Sequence, residues 1–117
     1  MTKKMMIIQE IKKAIRTEKA LTCVDLDRIF MKHGIERGNL VWHHPTSPSN
    51  IYWTGLSPEG LDVLRSLMQD GEIRIYRESA QSYLCQGARL NLSSKTKDNY
   101  IWCPVGFAMR EPVLSAV

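Results

Sequence analysis

The stretch from Ser57 to Tyr76, S-P-E-G-L-D-V-L-R-S-L-M-Q-D-G-E-I-R-I-Y, constrains the fold more than any other part of the chain. Ser57 suits a helix N-cap, because its hydroxyl can accept from a backbone N–H of the first turn. Pro58 then falls at the first helical position, where its missing N–H costs nothing, and Glu59 complements the positive end of the helix dipole. Leu61, Leu64, Leu67 and Met68 recur at helical spacing and predict a buried stripe. Gly71 is placed to end the helix, and Ile73 and Ile75 then alternate with Arg74 and Tyr76 as in a strand. The rest of the chain must pack against this helix–strand unit or extend its sheet.

Two helices precede it. From residue 5 to about residue 19, Ile8, Ile11 and Ile15, with Ile7 and Ala14 beside them, predict one apolar stripe, off which lie Lys12, Lys13, Arg16 and Lys19. A second helix is marked at both ends. Thr22 is its N-cap, Asp25 adds an acid to the first turn, and Gly34 supplies the left-handed ending that lets Ile35 fall back on Phe30. Between the second helix and Ser57, residues 39–44 and 50–54 read as short strands separated by the turn chemistry of Pro45 to Asn50. They form either a hairpin or a surface loop carrying one strand that pairs elsewhere.

After Tyr76, Glu78 to Gln81 is a predicted turn, and a return strand from Ser82 places Leu84, Ala88, Leu90 and Leu92 on one face with Gly87 at a bulge. Ser93 to Asn99 is a polar loop. Tyr100 to Met109 reads as a last strand that Pro104 confines to an edge or a bulge. The tail after Arg110 is expected to be ordered only where it packs. The expected fold class is α+β: about three helices on a small antiparallel sheet with a C-terminal hairpin, as one domain over residues 1–117. A chain of 117 residues, 44% hydrophobic and 24% charged, has the length and composition for one such core.

No apolar run approaches the ~20 residues that span a bilayer. Gln9, Glu10, Lys12 and Lys13 interrupt the apolar N-terminal segment too early for a signal peptide, so a cytoplasmic location is expected. The net charge of +4 is unevenly placed. Up to residue 21, six cations face only Glu10 and Glu18, whereas residues 57–71 carry Glu59, Asp62 and Asp70 against Arg65 alone. The positive field therefore comes from the first helix and the sheet.

Catalytic and metal chemistry find little footing. Cys23, Cys85 and Cys103 are too few and too scattered for a disulfide framework, and read as buried thiols. Cys85 and Cys103 could meet His43 or His33 at a metal only if distant strands converge, and adjacent His43 and His44 point to opposite faces of a strand. Cys23, at the start of the second helix, is the one candidate nucleophile, since a helix N-terminus lowers a thiol's pKa. Acidic pairs such as Asp25 with Asp27, or Glu59 with Asp62, read as helix-surface charges. No phosphate-binding glycine loop or protease motif is present, and neither enzyme activity, cofactor nor metal is expected.

The order helix, helix, strand, helix, hairpin, with L-S-P-E-G-L-D-V-L-R-S-L-M-Q-D-G-E-I-R-I at its centre, resembles winged helix-turn-helix domains over residues 5 to 92. The resemblance implies a three-helix core with a twisted hairpin beside the third helix, used on DNA in transcription regulation, often as a homodimer, and elsewhere in purely protein–protein roles. Two departures weigh against DNA reading by the third helix. Its exposed positions, Glu59, Asp62, Arg65, Ser66, Gln69 and Asp70, are net negative, and about twenty residues separate it from the second helix where a turn of ~3–4 is usual. Two functions follow as expectations. In the first, Lys12, Lys13, Arg16 and Lys19 of the first helix, with Arg74, Arg77, Lys95 and Lys97 of the hairpin and its loop, contact nucleic-acid phosphates. In the second, an adaptor or inhibitor meets a partner protein through the aromatic Trp42, Tyr52 and Trp53 and the acidic Glu59 and Asp62.

Overall fold

Thr2 opens helix α1 (Lys3–Glu18) by accepting from the Met5 N–H, in a computed structural model that describes residues 2–87 and 100–110. Ile7, Ile11 and Ile15 are its buried stripe, so the core face passes through Ile7, with Ile8 only partly covered. Lys19, at positive φ, turns the chain into the two-residue strand β1 (Leu21–Thr22). Thr22 then caps α2 (Cys23–Lys32) in a full capping box with Asp25. The helix ends as its sequence predicts: Gly34 sits at φ +78°, the Ile35 N–H reaches Phe30 O at 2.9 Å, and Ile35 is buried.

Of the two alternatives for residues 39–56, the hairpin is found. β2 (Leu40–His44) pairs antiparallel with β3 (Ser47–Leu56) across the tight Pro45-Thr46 link. Helix α3 (Pro58–Gln69) follows, with Ser57 accepting from the Gly60 N–H and Pro58 in the first turn. Its core face is Gly60, Val63, Leu64 and Leu67, while Leu61 and Met68 are only partly buried. The end of α3 differs from expectation. Asp70 leaves the helix in extended conformation and its carboxylate accepts from the Glu72 N–H at 2.9 Å, so Gly71 does not need the left-handed region. Strand β4 (Ile73–Arg77) comes next.

The predicted return strand from Ser82 is instead helix α4 (Ala80–Cys85). Ser79 caps it through the Ser82 N–H, a local signal that prevails over a loose alternation of apolar residues. Leu84 is 58% exposed rather than in a sheet, and Gly87, at φ +76°, follows the helix rather than marking a bulge. Ala88, Leu90 and Leu92 lie outside the described residues. The last strand is also two: β5 (Ile101–Trp102) and β6 (Val105–Met109), consecutive at the C-terminal end of the fold. Pro104, which lacks an N–H, stands between them rather than within a strand, and β6 is the central strand of its sheet, neither at the edge nor at the bulge that the proline suggested.

The described residues thus build an α+β fold of four helices and two three-stranded sheets rather than a single antiparallel one. One sheet has the order β1-β6-β4, all antiparallel. In the other, β2-β3-β5, the β3–β5 pair is parallel, and Cys103 N–H adds a 2.7 Å bond to Ile51 O. Trp42 of one sheet stacks on Phe107 of the other, with centroids 5.9 Å apart. No helix of the described residues is long and apolar enough to cross a membrane.

Where the hairpin leaves for α3, Gly38 passes so near the backbone that a Cβ would stand 2.7 Å from Leu56 O and 2.8 Å from Ser57 Cα. Neither atom belongs to a flexible side chain. Gly38→Ala is therefore expected to cost about 2–3 kcal/mol, read as a lowered urea midpoint, whereas Gly34→Asn at the open helix end stays within about 1 kcal/mol.

Candidate functional site

Helix α3 carries two outward stripes. Glu59, Asp62 and Asp70 face α1, and each is paired there: Lys3 to Glu59 at 2.8 Å, Lys4 to Asp62 at 3.2 Å, and Lys12 to Asp70 at 2.6 Å. Glu72, just beyond the helix, receives Arg16 at 3.3 Å. The pairs advance together along both helices, so the cations of the first helix and the acids of the third neutralise one another. Exposed pairs of this kind contribute at most about 1 kcal/mol each, and their larger effect is to cancel two local fields. Lys12 is buried by the contact, and its partner holds an acidity to match: the Lys12 hydrogen bond, helped by the Glu72 N–H, keeps the Asp70 carboxyl below its ordinary value.

That shift has a pH signature. A carboxyl with a depressed folded pKa contributes stability that is fully present above its ordinary value of 3.8 and is lost as pH falls through the folded value. Glu10 behaves alike, since hydrogen bonds from His33 and Lys32 outweigh the opposing effect of burial. Stability is expected to fall below about pH 4, with a shallower acid limb in Lys12→Met, as read from urea midpoints between about pH 6 and pH 2.

The other stripe of α3 is Leu61, Arg65 and Gln69, four residues apart in turn, with Met68 three beyond Arg65. It faces the hairpin across a cleft of about 610 Å³. Val41, Trp42, His43 and His44 of β2, Pro45 of the link and Tyr52 of β3 form the opposite wall, and Ile75 of β4 closes one side. Bulges beside Val41 and on both sides of His43 interrupt the β2 ladder, which re-aims these side chains. Trp42 meets Tyr52 edge to face at 4.7 Å, and His44 lies 6.1 Å from the same tyrosine. The His44 ring is held by the Thr46 N–H at 3.2 Å, and the His43 ring by the His44 carbonyl at 2.8 Å. No Asp or Glu is among the residues lining the cleft. It is an apolar, aromatic seat with a positive rim.

Of the sequence-derived candidates, Trp42 and Tyr52 come together here. Trp53 does not: it is 3% exposed, and its indole N–H donates to Asp27 at 2.9 Å inside the core. Glu59 and Asp62 are engaged with Lys3 and Lys4. Among the nucleic-acid candidates, Lys12 and Arg16 are paired with Asp70 and Glu72, while Lys13 and Lys19 are exposed. Lys13 and Arg16 do share a shallow groove with Lys32, but Glu10 and Glu18 line it too, which mixes the sign of the field. Arg74 lies over the Tyr76 ring at 5.5 Å and Arg77 is exposed at the end of β4. Lys95 and Lys97 lie outside the described residues.

Cys23 is not an activated thiol. Burial pushes it up to about 12, against the opposing hydrogen bond of Tyr83, so desolvation outweighs the helix dipole. Cys85 is exposed, and no group of three or more His, Cys, Asp or Glu side chains among the described residues is arranged to hold a metal. The residues that the sequence hid are Arg65 and Gln69, read there as part of one acidic face, and Leu61 and Met68, read as core. The available signal was their common stripe, distinct from that of Glu59, Asp62 and Asp70. Comparison of the chain with models of protein families, with curated proteins and with solved structures finds no match.

Proposed function

We propose that this protein is a non-enzymatic binding module that takes an apolar segment of a partner protein in the cleft between β2 and α3. The observation that carries it is the cleft itself: half-buried Trp42, Tyr52, Leu61 and Met68 line a space of about 610 Å³, beside an α1–α3 contact where Lys3, Lys4 and Lys12 pair with Glu59, Asp62 and Asp70. Such a seat, apolar with a few polar groups at its rim, is the usual form of a recognition pocket.

Strand order supports a winged-helix-like arrangement of part of the fold. The strand between the first two helices pairs with the last strand, which pairs with the one after the third helix, giving β1-β6-β4. In that likeness the β2–β3 hairpin is an insertion laid against the outer face of α3. A DNA-reading helix must protrude into a groove ~12 Å wide, and an adjoining hairpin obstructs that approach. The same insertion provides the second wall of a peptide seat.

The test is selection of random linear dodecapeptides displayed on phage. Binders enriched on the full chain are expected to lose about tenfold or more in affinity for Trp42→Ala. They should lose as much for Gln69→Trp, which fills the cleft from an exposed position and leaves the core intact. Binders indifferent to both variants, or none at all, reject the proposal. A second reading, contact with nucleic-acid phosphates, is favoured by Lys13, Lys19, Arg74 and Arg77 having no salt bridge to a described residue. It requires duplex-DNA affinity that falls steeply with salt, and a flat response or no binding at low salt eliminates it.

A further inference from the structure

We infer that the segment seated in this cleft is extended and acidic, with a bulky apolar residue flanked by Asp or Glu; the inference rests on the binding-module reading above. Three observations carry it. The first is charge: Arg65 and two histidines line the cleft without any acidic side chain, although α3 is otherwise rich in carboxylates. Those carboxylates are turned toward α1 and neutralised there by Lys3, Lys4 and Lys12. An anionic segment therefore meets attraction from Arg65 and no repulsion from within the seat, while a cationic one meets only the like charge.

The second observation is the strand edges. β2 and β4 both contribute residues to the lining of the cleft, and among the described strands each is the outer member of its sheet. Each therefore has an edge whose backbone N–H and C=O groups no described strand pairs. An extended segment can use such groups, as strand addition does elsewhere. Arg77 lies two residues beyond Ile75 on β4, so strand alternation puts it on the same face, where it prolongs the positive rim along that edge. The third observation is the aromatic lining. Trp42 and Tyr52 meet edge to face, and Met68 is an adaptable neighbour in the same cleft, so this part of it suits one large apolar side chain rather than a row of small ones.

The experiment reads composition. Dodecapeptides selected on the full chain are sequenced beside those selected on Arg65→Glu, an exposed substitution that leaves the core untouched. The expected result is enrichment of Asp and Glu around a Phe, Leu or Trp, with those peptides losing about tenfold or more in affinity for Arg65→Glu and about as much on raising salt. Selection on Arg65→Glu should move the flanks toward Lys and Arg. Binders that depend on Trp42 but carry neutral or basic flanks overturn the acidic inference and leave the binding-module reading standing. The absence of any Trp42-dependent binder overturns both. A chain that sediments as a dimer, and is dissociated by Gln69→Trp, places a second copy in the seat and overturns the partner inference.

Discussion

Replacing Tyr83 by phenylalanine is expected to cost about 2–4 kcal/mol although it removes one oxygen atom. Tyr83 is fully buried, and its hydroxyl lies between two main-chain groups: it accepts from the Cys23 N–H at 2.9 Å and donates to the Val105 carbonyl. The Cys23 N–H opens α2 and is one of the donors that a helix leaves without an internal partner. Val105 begins β6, the central strand of its sheet. One hydroxyl therefore joins a helix start, a sheet and α4, and burial keeps the phenol protonated by pushing its pKa up. In Tyr83→Phe both main-chain groups remain buried without this partner, each costing about 1–3 kcal/mol. Tyr83→Ala also empties the space between Trp53 and Trp102, whose rings lie 5.3 and 5.4 Å away, and should cost about 3–5 kcal/mol for the ring alone. Urea unfolding reads both. A Tyr83→Phe cost below about 1 kcal/mol would show that the hydroxyl's two bonds are dispensable.

The second large effect is expected at Asp27. One of its oxygens, Oδ2, accepts from the Trp53 indole at 2.9 Å and from Arg37 at 2.7 Å. Arg37 also donates to Gly55 O at 3.1 Å and Thr54 O at 3.2 Å, tying α2 to the end of β3. Asp27→Ala leaves the buried indole N–H without this acceptor and Arg37 without its counter-charge. Because Arg37 is half exposed and can hydrate, the expected cost is about 2–4 kcal/mol, toward the lower end of the range for breaking a buried pair. Arg37→Ala acts differently, since it leaves a carboxyl that burial already pushes above its ordinary value, an effect Trp53 and Arg37 oppose. With the guanidinium gone, the carboxyl rises further. A raised carboxyl pKa means the folded state holds its proton longer, so stability from this group is present at low pH and declines as pH rises through the folded value. Arg37→Ala should therefore lose about 1–3 kcal/mol near neutral pH and less near about pH 4. Equal losses at both pH values would contradict the coupling of Arg37 to the Asp27 charge.

Three helix ends were legible because their signals are local, although the end of α3 at Asp70 was not. Thr22 with Asp25, Gly34 with Ile35, and Ser57 with Pro58 act within a few residues of where they stand, and the fold uses each of them. The sheets were not. β1 is two residues long, and its partner β6 lies more than eighty positions away, a pairing that no local pattern announces. Ser79 signals α4 by the same capping chemistry as Ser57, but so short a helix lacks a full apolar stripe, and its residues alternate loosely as in a strand. For the site, the aromatic side chains Trp42 and Tyr52 were visible as a group. The pairing of α1 with α3 was not, because it depends on which way two distant helices run beside each other. That pairing changes the meaning of the charges. Lys12 and Arg16 look like a phosphate-binding stripe in the sequence, and in the fold they answer Asp70 and Glu72.

Recognition is proposed to occur between the hairpin and α3, and not along α1. Amide chemical-shift mapping of the full chain, titrated with a peptide selected on it, addresses this directly. The expected perturbations fall on residues 41–44, 52, 61–69 and 75, with residues 9–18 unmoved. Perturbations centred instead on Lys13 and Arg16, with the Trp42 and Tyr52 signals unchanged, would contradict it.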